Sequence, residues 1–128
     1  MARVLVADDA SFMRQMIREI VEAEGHEVVG EASDGDEAVE EWKRLQPDVV
    51  TMDIVMPRRS GIDAVKGIMD IDSTACVVMC SALGQETLVQ EALQAGARDF
   101  IDHREATGFE YSRGNAFWWA AHVLILRV

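Results

Sequence analysis

At 128 residues and a formal charge of −11, the chain has the length of one domain, enough to bury roughly two-thirds of the surface its unfolded form exposes. The acidic balance excludes nucleic acid as a direct partner, because phosphate binding requires a basic stripe that these residues do not supply. No apolar stretch reaches the roughly 20 residues of a membrane span and no signal peptide precedes Val4, so no membrane span and a soluble cytoplasmic protein are expected.

The pattern alternates strand and helix from the start. The apolar run Arg3 to Ala7 predicts a buried strand. Ser11 to about Glu24 predicts a helix whose Met13, Met16, Ile17 and Ile20 form one apolar stripe, ended by Gly25. His26 to Glu31 predicts a second strand. Ser33-Asp34-Gly35-Asp36 supplies turn and cap chemistry for a helix with Val39, Trp42 and Leu45 inward, stopped by Pro47. Asp48 to Met52 predicts a third strand, followed by a loop to Ser60. Ser60-Gly61-Ile62-Asp63 resembles a capping box opening a helix to about Asp70. Ala75 to Cys80 predicts a fourth strand, with Cys76 and Cys80 on one face as reduced core thiols. A helix to about Ala95 with Leu88, Ala92 and Leu93 inward follows, then Gly96 and a fifth strand, Arg98 to Asp102.

Five strands with intervening helices predict an α/β fold, a parallel sheet covered on both faces. A closed eight-stranded barrel needs about 250 residues, so an open doubly wound sheet remains. Open sheets of this kind place their chemistry at the carboxyl ends of the strands. Asp8 and Asp9 close the first strand and Asp53 the third. Two carboxylates about 4 Å apart repel by roughly 4 kcal/mol at an effective dielectric near 20, so three together need a cation, a proton or separation. The cluster is a candidate metal site, and its oxygen donors suit Mg2+. Asp53 is either a ligand only or a nucleophile that attacks phosphorus. Taken singly, Asp8, Asp9 or Ser81 also suits a helix cap, and Phe100 suits plain core packing.

Asp8-Asp9 after the first strand, Asp53-Ile54-Val55-Met56-Pro57 with Gly61 after the third, Ser81-Ala82 after the fourth, and Gly96-Ala97-Arg98-Asp99-Phe100 together resemble response-regulator receiver domains. Asp8-Asp9-Ala10-Ser11-Phe12-Met13-Arg14 is most similar to single-domain chemotaxis regulators of the CheY type. The resemblance covers about residues 2 to 102 and implies a flavodoxin-like five-stranded parallel sheet of order 2-1-3-4-5. It further implies that Asp53 accepts a phosphoryl group from a histidine kinase, that Asp8, Asp9, Asp53 and the Val55 backbone carbonyl hold Mg2+, and that Ser81 is a switch hydroxyl. Phe100 would stand at the aromatic switch position, and a downstream protein target would read the result. Such a module is not a turnover enzyme beyond self-phosphorylation from a phosphodonor and self-dephosphorylation. Two other function classes compete with it. One is a degenerate receiver that binds partners without phosphorylation. The other is an aspartate-nucleophile phosphohydrolase, disfavoured because Asp53-Ile54-Val55 lacks the second aspartate of a D-x-D pattern.

One departure bears on this reading. Receivers carry Lys-Pro after the fifth strand, where this chain has His103-Arg104. An unperturbed histidine, with a pKa near 6.5, is mostly neutral at pH 7, unlike lysine. Composition also changes at this point: 21 of the 23 acidic residues occur by Asp102, whereas five of the eight aromatics follow it. Residues 1–102 therefore read as the receiver core, and 103–128 as an atypical apolar, aromatic-rich segment. A reworked interface or swapped element, an altered reading frame, and a membrane-surface segment compete as explanations. Trp118-Trp119 and the aliphatic end would expose a large apolar patch, which predicts a homodimer through this segment.

Overall fold

The computed structural model describes residues 1–81 and 86–102. Five strands, β1 (Arg3–Ala7), β2 (Glu27–Ala32), β3 (Val49–Met52), β4 (Val77–Ser81) and β5 (Asp99–Asp102), alternate with four helices, α1 (Ser11–Ala23), α2 (Gly35–Leu45), α3 (Gly61–Ile71) and α4 (Glu86–Ala95). The strands form one sheet in the order β2-β1-β3-β4-β5, parallel at every pairing. This is the predicted doubly wound fold.

Both directions of each central strand are buried, which is why these segments read as unbroken apolar runs. Leu5, Val50, Met52, Val77 and Met79 face α2, α3 and α4, packing with Val39, Trp42, Val65, Ile68 and Ala92. Val4, Val6, Val49 and Val78 face the other way, onto Met13, Ile17 and Val21 of α1. Each of those three α1 side chains contributes about 1.5–3 kcal/mol by leaving water. Cys76 and Cys80 lie together in this second core, as their even spacing predicted, and both are buried thiols.

The helix starts are set by local chemistry. The Asp34 side chain accepts from the Glu37 N–H at 2.8 Å, and the Glu37 carboxylate accepts from the Ser33 N–H at 2.9 Å. Ser60 Oγ accepts from the Asp63 N–H at 3.2 Å. Two expectations shift. Leu93 is 42 % exposed, because the narrow buried side of α4 is filled by Ala92, with Leu88 and Ala95 at its margin. On α1 the buried stripe is Met13, Ile17 and Val21, with Met16 and Ile20 at its edge. The helix is thus rotated slightly from the predicted face. Strand β2 also runs one residue later than expected, to Ala32, and β4 begins at Val77.

Candidate functional site

Strands β1 and β3 are neighbours, with Ala7 opposite Met52, so the residues leaving them emerge side by side. The ladder continues one residue past each strand: the Asp8 N–H donates to the Ala32 carbonyl at 3.0 Å and the Asp53 N–H to the Ala7 carbonyl at 2.9 Å. The backbones of both aspartates are thereby held by the sheet itself. One carboxylate oxygen from each of Asp8, Asp9 and Asp53 lies within 4.8 Å of the others. At that spacing each ionised pair repels by roughly 3–4 kcal/mol at an effective dielectric near 20.

The three are not equivalent. Asp8 is 2 % exposed, Asp9 is exposed and Asp53 half-buried. Asp8 Oδ1 accepts from the Ala10 N–H at 2.9 Å, but its buried Oδ2 has no hydrogen-bond partner among the described residues. Burial pushes the Asp8 carboxyl up to about 6. The Ala10 hydrogen bond opposes that rise, the charges of Asp53 and Asp9 add to it, and Arg14 draws it down. Burial likewise lifts Asp53 above the usual carboxylate range, countered by hydrogen bonds from the Ile54 N–H and the Ser81 side chain. The Ile54 N–H lies 2.8 Å from Asp53 Oδ1. Neither Asp8 nor Asp9 caps α1: its N-cap is Ala10, with no side-chain hydrogen bond.

An all-oxygen donor set that carries excess negative charge, with one buried carboxylate oxygen left unpaired, fits a hard divalent cation such as Mg2+. Val55 follows in the β3–α3 loop, 58 % exposed. The loop folds back tightly over Asp53. The Gly61 N–H donates to the Ile54 carbonyl at 2.7 Å, and a Cβ at Gly61 would stand 1.7 Å from the Asp53 carbonyl oxygen. The N-terminus of α2 approaches the same loop, where a Cβ at Gly35 would lie 2.0 Å from the Arg59 carbonyl oxygen.

Ser81 ends β4, 1 % exposed. It is the last residue of the strand, and its side chain hydrogen-bonds Asp53. Phe100 stands opposite Met79 in the β4–β5 pairing, half-buried against the core beneath α2, α3 and α4. His103 and Arg104, with the whole 103–128 segment, lie outside the described residues. Sequence reasoning missed Arg14 and Glu31. Arg14 Nη1 donates to the Asp8 carbonyl at 2.7 Å and its Nε to Glu31 Oε1 at 2.9 Å. The available signal was Arg14 and Arg18 one turn apart on α1, a spacing that puts both on one side of a helix.

A parallel sheet of this order, with three aspartates gathered where β1 and β3 end, defines a response-regulator receiver. The chain belongs to that family: residues 4–107 match the response regulator receiver domain. Within it, the chain is homologous to CheY chemotaxis regulators of two-component signalling. It is 58 % identical over 99 residues to chemotaxis protein CheY of Thermotoga maritima, covering 77 % of this chain and 82 % of that protein. It is 54 % identical to chemotaxis protein CheY of Bacillus subtilis, with the same coverage of 77 % and 82 %. Among solved structures, the response regulator domain of Thermotoga maritima CheB aligns at a TM-score of 0.80 and 40 % identity, over 98 % of this chain and 91 % of that one. A chain of the CheX–CheY–BeF3–Mg2+ complex of Borrelia burgdorferi aligns at 0.80 and 34 % identity, over 94 % and 88 %. Among the described residues no helix is long and apolar enough to cross a membrane.

Proposed function

We propose that Asp53 is the phosphoacceptor of this receiver, loaded from a phosphohistidine of a histidine kinase. Asp8, Asp9, Asp53 and the Val55 carbonyl would hold Mg2+, which would neutralise charge on the transferring group. The observation that carries the reading is the convergence of Asp8, Asp9 and Asp53 within 4.8 Å, with the buried Asp8 Oδ2 left unpaired. In the transfer, an Asp53 carboxylate oxygen attacks phosphorus and an O–P bond forms. The N–P bond of the donor breaks, and its electron pair leaves with the imidazole nitrogen, which takes up a proton.

The product replaces one negative charge by about two and adds acceptor oxygens beside Ser81. Ser81 already hydrogen-bonds Asp53, so its hydroxyl is placed to follow the new oxygens. Phe100, across the β4–β5 pairing, would move with it and alter the face read by a downstream protein. In this reading residues 1–102 form the working core in the cytoplasm, and catalysis is limited to self-phosphorylation and self-dephosphorylation. The segment 103–128 is a candidate dimer contact, checked by comparing the solution mass of the full chain with that of a chain ending near Gly114.

His103-Arg104 in place of Lys-Pro favours a second reading, a receiver that binds partners without phosphorylation. Mg2+-dependent labelling with acetyl phosphate separates the two. Stable label on the wild type and none on Asp53→Asn is the expected result. A wild type that takes no label supports the second reading, and continuous turnover of phosphate esters would point to a phosphohydrolase.

A further inference from the structure

Three contacts fix Asp8 and leave one of its atoms over. Its N–H is bonded to the Ala32 carbonyl of β2, its Oδ1 accepts from Ala10, and its carbonyl accepts from Arg14 Nη1 at 2.7 Å. The remaining oxygen, Oδ2, is buried and unpaired among the described residues. Arg14 is itself anchored. Its Nε donates to Glu31 Oε1 at 2.9 Å, while Glu31 Oε2 takes Arg18 Nη2 at 2.5 Å. Arg18 also pairs with Glu22 at 3.5 Å. Glu31 precedes Ala32 on β2, so the guanidinium ties α1, β2 and the end of β1 into one rigid corner. Arg14 is 19 % exposed and Glu31 34 %, so the link is partly withdrawn from solvent.

We infer that Arg14, oriented by Glu31, is a positioning residue for cation binding: it clamps the Asp8 carbonyl so that Oδ2 is presented to the ion. This rests on the Mg2+ site proposed above. The two demands on Arg14 oppose each other, and that makes the inference sharp. As a nearby positive charge, Arg14 repels a cation, so on electrostatic grounds alone its removal would tighten Mg2+ binding. As a clamp, its removal loosens the Asp8 backbone and weakens binding, in the way that partners behind metal ligands commonly do by 10- to 100-fold.

The test is Mg2+ titration of the full chain by isothermal calorimetry at neutral pH, with thermal unfolding in EDTA as the control for folding. Wild type, Asp8→Asn, Arg14→Met, Arg14→Lys and Glu31→Gln are compared at a temperature where each is folded. Arg14→Met is expected to weaken the Mg2+ Kd roughly 10-fold or more. Glu31→Gln is expected to lose less, because Arg14 keeps the Asp8 carbonyl. Arg14→Lys is expected to fall between, since an ammonium lacks the fork that reaches Asp8 and Glu31 together. A Kd for Arg14→Met equal to or tighter than wild type overturns the inference, even if the variant melts earlier. A wild type that binds no Mg2+, or an Asp8→Asn variant that binds as well as wild type, overturns instead the site proposal on which the inference stands.

Discussion

Replacing Asp8 by Asn tests the electrostatic reading of the site most directly. Asp8 is held at a pKa of about 6, against an ordinary value of 3.8, chiefly by burial. A raised folded-state pKa means that the native state holds the proton more tightly than the unfolded chain. The stabilising contribution is then complete below pH 3.8 and lost as pH rises through about 6. The shift of about two pKa steps corresponds to roughly 3 kcal/mol, by which ionised Asp8 disfavours the fold at pH 7.5. An asparagine keeps the Oδ1 acceptor for the Ala10 N–H, removes the charge, and places an amide donor beside the Asp9 and Asp53 carboxylates. Asp8→Asn is therefore expected to stabilise the Mg2+-free protein by about 2–3 kcal/mol at pH 7.5, a rise in Tm on the order of 6–12 °C. The gain should shrink as pH falls and vanish near pH 3.8, where Asp8 is already protonated. Urea unfolding followed by far-UV circular dichroism, in EDTA and across this range, measures it. A variant less stable than wild type at pH 7.5, or equally stabilised at both ends of the range, would refute the reasoning.

The same physics separates the two proteins in their response to Mg2+. At ten times its Kd the ion should raise wild-type stability by about 1.4 kcal/mol and leave Asp8→Asn nearly unchanged, which a melt in Mg2+ against EDTA would show. Gly61→Ala drives a methyl group to 1.7 Å from the Asp53 carbonyl, so the loop must shift. About 3 kcal/mol of lost stability and reduced acetyl phosphate labelling are expected, and a variant of wild-type stability would argue against this packing. Thr51 is 6 % exposed and its Oγ1 has no partner among the described residues. Thr51→Val, nearly the same shape without the orphaned hydroxyl, should therefore raise stability by about 1 kcal/mol in urea unfolding.

The fold was legible because its strands are buried on both sides, which turns each into an unbroken apolar run such as Val4-Leu5-Val6-Ala7 ending at a charge. Helix entries were legible where one side chain caps its own backbone, as with Ser60 and Asp34. Helix rotation was less so. Val21 belongs to the α1 core and Leu93 of α4 lies outside it, because which neighbouring position turns inward depends on how the helix docks.

Sequence by itself put Asp8, Asp9 and Asp53 at strand ends, because local apolar runs stop there, and the resemblance to receivers supplied the order that sets β1 beside β3 so that these ends meet. It also held the family motifs at their spacing. Only tertiary structure decided how the carboxylates differ: Asp8 is buried with an unpaired oxygen while Asp9 beside it is open to water. The clamp from Arg14 to Asp8 and Glu31 was likewise decided there, because Arg14 and Glu31 stand 17 residues apart and meet only when α1 lies down beside β2. Burial and long-range hydrogen bonds depend on the packing of elements against one another, and no local run of residues encodes them.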